Sequence, residues 1–270
     1  MIRRISAKYR IVRSRACSFN VRMDETLLFL ALLTITFLVA GLVKGVTGMG
    51  LPTVAMGLLG MVMPVAVAAT MLIIPSFVTN VWQLLTGPAI ARLVRRLWPM
   101  MLAIVLGTVA GASLLVRVDP KWSGLALGVA LVIYAGYALV APTFDVSSRL
   151  EPWLAPVVGF VTGTMTGATG VFVMPAVPYL QSLQLSKDDL VQALGLSFTV
   201  STLALAAGLV AHAAFRVDQL GLSTLALVPA VVGMWLGRIV RRRISPQRFR
   251  QLFLSLLLLL GLELASRPFV

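Results

Sequence analysis

The chain has 270 residues, 59% hydrophobic and 12% charged, with a mean hydropathy of +0.97. A soluble domain is nearer a quarter charged; this composition excludes one and leaves an all-α polytopic membrane protein, with room for about eight crossings at roughly 20 residues each. One cysteine, Cys17, excludes an intrachain disulfide and any multi-cysteine metal site, and one histidine, His212, argues against bis-histidine haem and zinc peptidase motifs, so neither a cofactor nor a metal is expected.

The formal net charge is +14. Seven of the 23 Lys and Arg residues lie in residues 1–22, and six more lie between Arg238 and Arg250. On short loops such charge is topogenic and attracts anionic lipid. Few aromatics accompany it, so membrane lipid is an expected partner and nucleic acid is not. Residues 1–22 lack an apolar core of signal-peptide length. Met23-Asp24-Glu25 reads as an alternative start, and the basic tail is expected to be dispensable. Counting the tail places the N-terminus in the cytoplasm; omitting it lets Arg241-Arg242-Arg243 reverse that orientation.

The first repeat is expected over residues 23–140. It opens with an apolar segment, 27–59, interrupted by Gly41-Leu-Val-Lys-Gly-Val-Thr-Gly-Met-Gly-Leu-Pro52. Each glycine weakens a helix interior by about 1 kcal/mol relative to alanine, and Pro52 removes a backbone donor. Irregular backbone at membrane depth persists only where protein or a water-filled cavity surrounds it, so this is a broken helix lining a site. A span at 64–85 carries Pro75 and a kink. A basic loop holds Arg92, Arg95 and Arg96, and spans follow at 98–116 and 122–140, with a turn at 117–121. Residues 141–152 form a polar linker.

The second repeat is expected over residues 153–270. It opens with Gly159-Phe-Val-Thr-Gly-Thr-Met-Thr-Gly-Ala-Thr-Gly170, with Pro175 beyond. Spans follow at 190–215, 220–240 and 249–265. Gly41 and Gly159 are 118 apart, whereas Gly107/Gly111 and Gly233/Gly237 are 126 apart. The latter pairs read as helix-packing contacts. Paired Gly/Pro-broken segments in two halves point to a transporter's binding site.

A broken helix exposes the N–H groups and the positive dipole end of the half-helix that follows. Such an end binds anions, and the half-helices are expected to start near Leu51 and Val171. The candidate substrate-binding residues are Lys44, Gly45, Thr47, Gly48 and Gly50 in the first motif. In the second they are Thr162, Gly163, Thr166, Gly167, Thr169 and Gly170, with Thr164 a further possible donor. No catalytic residue is expected. Lys44 in a span is a functional hypothesis by default. It also lies about 26 Å along a helix from Leu27, far enough to snorkel to headgroups. Its positional counterpart at the 118 spacing is Thr162. Glu263 and Arg267 suit a helix-end pair, His212 suits an interface, and Asn80, Gln83, Gln192 and Ser197 suit interhelical hydrogen bonds.

The two glycine-rich segments, each followed by a proline, resemble those of the TauE/SafE family of sulfite and organosulfonate exporters. The Gly-x-x-x-Gly span leading to a basic turn with proline does too. The resemblance covers roughly residues 27–265. It implies about eight spans in two related halves, an inner-membrane location in a bacterium, and a small anionic substrate such as sulfite or a sulfonate. One departure is Phe172-Val173-Met174, which separates Gly170 from Pro175. Two other readings compete: a membrane scaffold without cargo, and a membrane-embedded lipid enzyme. The enzyme needs an acidic pair, a serine–base pair or a metal cluster in the bilayer, where Glu263 is the only acid well inside a span. The scaffold has no need of broken helices. Oligomeric state and coupling ion are not legible.

Overall fold

The computed structural model describes residues 26–140, 145–147, 149–215 and 219–269, and they contain helices and no strands. The dispensability of residues 1–22 therefore concerns a segment outside the described residues. By contacts the chain divides into Met1–Ile35 and Thr36–Val270. In the first unit, the described part is the opening of helix α1, Thr26–Thr47, which continues into the second. The second unit goes on with α2 (Leu51–Gly60), α3 (Val65–Leu85), α4 (Ile90–Arg117), α5 (Pro120–Val140), α6 (Glu151–Thr169), α7 (Ala176–Gln181), α8 (Lys187–Ala211), α9 (Leu220–Arg241) and α10 (Pro246–Ser266). Seven of these helices are long and apolar enough to cross a membrane, and α2 is a shorter apolar one. This is the all-helical, polytopic architecture that the composition predicts.

Two elements differ from the expected pattern. Arg92, Arg95 and Arg96 are not in a loop: they form the first two turns of α4, which starts eight residues before Trp98. Their charge is tolerable in a helix because all three are exposed at its end, and two of them are also paired across to other helices. Arg92 meets Asp189 of α8 at 2.6 Å, and Arg96 meets Glu151 of α6 at 2.6 and 2.7 Å. The second half-helix begins at Ala176, not Val171. Val171–Pro175 form a non-helical connection, with a cis Met174–Pro175 bond, and α7 has only six residues. The departure at Phe172-Val173-Met174 is thus the stretch that delays the helix.

Glycine sets the helix spacing. A Cβ at Gly163 of α6 would lie 2.8 Å from Thr108 N and 3.0 Å from Gly107 Cα of α4. One at Gly45 of α1 would lie 2.9 Å from Gly237 Cα of α9. Only a residue without a side chain lets backbones meet this closely. The Gly107/Gly111 and Gly233/Gly237 pairs pack against α6 and α1 respectively, as expected. The partners rise together along both helices, so α4 runs parallel to α6, and α1 to α9. Gly41 and Gly45 meet α9 as Gly163 and Gly167 meet α4.

The spacing between equivalent positions in α1 and α6 is therefore 122 residues, where the leading glycines had suggested 118. The threonine turns confirm the register. Thr47 Oγ1 donates to Val43 O at 2.9 Å and accepts from Met49 N at 3.3 Å. Thr169 Oγ1 donates to Met165 O at 2.7 Å and accepts from Val171 N at 3.3 Å. Both turns end in a left-handed glycine, Gly48 and Gly170. At this spacing Lys44 lines up with Thr166, one helical turn beyond Thr162. Glycine recurs every four residues along α6, so sequence alone offers two registers one turn apart.

The remaining helices complete the bundle of the second unit. α3 packs antiparallel on α8, with Gly195 against Leu84, and α5 packs antiparallel on α10, with Gly128 against Gly261 and Ala265. One end of this unit is strongly basic. It gathers the starts of α4, α6, α8 and α10 and the ends of α3, α5 and α9, linked by Arg92–Asp189, Arg96–Glu151, and Arg250 Nη2 donating to Ala138 O. At the opposite end Arg267 pairs with Glu263 at 3.4 Å, as expected, and donates to Met61 O.

Candidate functional site

Lys44 lies in the last turn of α1 and is buried, 3% exposed. It does not snorkel. Its ammonium donates to Thr79 Oγ1 at 3.1 Å and to Asn80 Oδ1, both on α3. Thr79 Oγ1 in turn donates to Pro75 O at 2.7 Å, and Asn80 Nδ2 donates to Thr202 Oγ1 of α8 at 3.5 Å. Asn80 and Thr202 are 122 positions apart, the same register as the threonine turns. Every partner of the ammonium is neutral, and no carboxylate lies within ion-pair distance among the described residues. Burying a cation without a counter-charge is costly. Two dipoles offset part of that cost, and a bound anion would offset far more.

Space for such an anion exists beside it. A cavity of about 120 Å³ has Lys44, Gly45, Gly48, Thr79 and Gln83 at its inner end. Trp82, Thr86, Arg238 and Arg241 line its exposed mouth. Gly48 has φ +80°, and a Cβ there would meet nothing within 4 Å, so the turn is open toward free volume. Gln83 braces this turn: Nε2 donates to Gly48 O at 3.0 Å and to Val191 O at 2.9 Å, while Oε1 is buried without a partner among the described residues. Gln192 clamps the neighbouring loop, donating to Leu84 O at 2.7 Å and Gly87 O at 2.5 Å and accepting from Ala89 N. The amides thus act as interhelical links, as expected, and Gln83 lines the cavity as well. Ser197 Oγ has no partner among the described residues.

The other candidate residues fall elsewhere. Thr47 Oγ1 is engaged by Val43 O and Met49 O. Gly50, at φ +96°, lies under Phe253 and Val43, and Leu51 is fully buried, so the start of α2 does not line the cavity. Two left-handed glycines turn the chain, carrying the α2 N–H groups away from Lys44. In the second motif Gly163 and Gly167 are helix-packing positions, and Gly170 abuts Met56. Thr166 donates to Thr162 O and Val171 O, Thr169 donates to Met165 O, and Thr162 Oγ1 is buried and unpaired among the described residues. Thr164 is half-buried and donates to Phe160 O. None of these lines the cavity around Lys44. His212 caps α8, its Nδ1 2.9 Å from Gly208 O.

Sequence reading missed Thr79, Trp82, Arg238 and Arg241 as site residues. Thr79 and Trp82 do carry a sequence signal: with Gln83 and Thr86 they recur at three- and four-residue intervals along α3. In sequence Arg238 and Arg241 are indistinguishable from the topogenic charge around them.

These features define a polytopic membrane protein with tightly packed helices and a cationic cavity among them. The model of the family described as Sulfite exporter TauE/SafE matches residues 33–264, and the chain belongs to that family of membrane transporters. No curated protein and no solved structure matches the chain.

Proposed function

We propose that this protein is a secondary transporter exporting a compact sulfur oxyanion, such as sulfite, across a bacterial inner membrane. Residues 23–140 and 153–270 act as its two repeats, joined by the linker at 141–152. The observation that carries this reading is Lys44: a buried ammonium with only neutral partners, beside an open cavity. Lys44 would hold the anion, with the Gly45–Gly48 turn allowing close approach and Thr79, Asn80 and Gln83 orienting the charge and the turn. The second motif would serve as the matching rigid element against which this half rocks, rather than as a ligand set.

Cavity size is compatible with a small substrate: about 120 Å³ beside Lys44 gives room for a small anion at the inner end. Charge distribution supports the direction. Among the described residues, Arg92, Arg95, Arg96, Arg149, Lys187, Arg238, Arg241, Arg242, Arg243, Arg248 and Arg250 mark the end onto which the cavity opens, against Arg117, Lys121 and Arg267 at the other. With the basic tail at 1–22 left aside as dispensable, the positive-inside rule favours a cytoplasmic basic end, so the cavity would load from the cytoplasm.

Sulfite flux into proteoliposomes tests the reading. Lys44→Met keeps the length and removes the charge. A charge-assisted contact contributes about 1.5–3 kcal/mol, so half-saturation should rise by about 10- to 150-fold. An unchanged half-saturation would remove Lys44 from the site.

A further inference from the structure

Arg238 and Arg241 stand three positions apart on the last turns of α9, so they share one helix face. Both line the mouth of the Lys44 cavity, and both are exposed. Their neighbours at this end, Arg92 and Arg96, are committed to Asp189 and Glu151. Arg238 and Arg241 have no carboxylate within ion-pair distance among the described residues. Arg238 has instead an aromatic partner: its guanidinium carbon sits 5.3 Å from the centre of the Trp82 ring. Trp82 is itself 46% exposed at the mouth. A cation held over a ring face keeps N–H groups for an acceptor beside the ring.

We propose that Arg238 and Arg241 form an outer oxyanion subsite at the cavity mouth, with Trp82 positioning Arg238, and that this subsite selects anions before they reach Lys44. The inference rests on the transport reading above. The chemistry of the two ends differs. Lys44 is a point charge and attracts any small anion. A guanidinium presents a planar fork that fits two oxygens on one edge. Sulfite offers such an edge and a halide does not, so the outer subsite favours oxyanions over chloride. Met234 and Gly237, packed on Gly45, hold this part of α9 against the turn that carries Lys44. The two subsites are therefore fixed relative to each other.

The test uses the full chain in phosphatidylcholine liposomes, measuring half-saturation for sulfite and its competition by chloride. Arg238→Gln should raise half-saturation about tenfold. Arg238→Lys keeps the charge without the fork; it should recover little of the affinity and let chloride compete better. Trp82→Leu should raise half-saturation about two- to fivefold, the equivalent of one exposed cation–π contact, and should add nothing in the Arg238→Gln background. The same measurements with phosphatidylglycerol present separate the two sources of oxyanion. Effects seen only with that lipid would mean the arginines hold headgroups, and the proposal would be wrong. Unchanged half-saturation in both Arg238→Gln and Arg241→Gln, with Lys44→Met impaired, would overturn the outer subsite and leave the transport reading standing. If Lys44→Met were unaffected too, both would fall.

Discussion

Gly163→Ala should destabilise the protein, whereas Gly136→Ala should not. The two substitutions add the same methyl group to a helix. At Gly136 of α5 that methyl meets nothing within 4 Å, and alanine's helix propensity stabilises by up to about 1 kcal/mol. At Gly163 it meets the Ile104 carbonyl, Thr108 N at 2.8 Å and Gly107 Cα at 3.0 Å. All three are backbone, so no rotamer change makes room, and α4 and α6 must separate. A gap of about 0.5–1 Å forfeits a quarter to a half of each dispersion contact it opens. Overpacking costs about 1–3 kcal/mol, and the upper end applies where only backbone can move. Subtracting the propensity gain leaves about 2 kcal/mol of net destabilisation. Thermal denaturation in detergent, followed as loss of the monodisperse species, should show a lower midpoint for Gly163→Ala and an equal or higher one for Gly136→Ala. Equal midpoints for Gly163→Ala and wild type would show that these helices can part at no cost, and that glycine does not set their spacing.

Gly48→Ala adds a methyl at φ +80° that points toward the cavity. The strain is about 1–2 kcal/mol, so the protein should insert and fold while half-saturation for sulfite rises; normal transport would mean that the turn does not bound the site. Arg96 and Glu151 form a two-pronged pair at a partly exposed helix end. A double-mutant cycle with Arg96→Gln and Glu151→Gln should give a coupling of about 0.5–1 kcal/mol that shrinks with added salt. A coupling near zero would mean the pair contributes nothing to holding α4 on α6.

The helical membrane class was legible because composition alone forces it: a chain with this few charges and long apolar runs cannot be solvated. The breaks at Gly48–Gly50 and Gly170–Pro175 were legible for a related reason, since glycine and proline at membrane depth act locally on the backbone. So were the Gly107/Gly111 and Gly233/Gly237 contacts, because a four-residue spacing puts both glycines on one face. The start of α4 at Ile90 was not legible. Arginine is a good helix former, so Arg92, Arg95 and Arg96 fit a loop or a helix end equally well in sequence, and Asp189 and Glu151, far along the chain, meet two of them only in the fold. Nor was the register between halves, as glycines at 159, 163 and 167 fit either of two alignments until α4 selects one.

The site divides in the same way. Lys44 stood out in sequence because a charge inside an apolar run is costly wherever the run goes. Its surroundings did not. Whether a lysine snorkels or turns inward depends on whether neighbouring helices offer acceptors, and Thr79 and Asn80 do so from 35 and 36 residues away. The threonines and glycines of the second motif carry the same residue types as the first. Tertiary packing commits them to α4 and to their own carbonyls, so they do not line the cavity around Lys44. Arg238 and Arg241 reach that cavity through the glycine contact between α1 and α9. Local sequence decides where a backbone can bend; only the packing of distant helices decides which side chains share the space beside the bend.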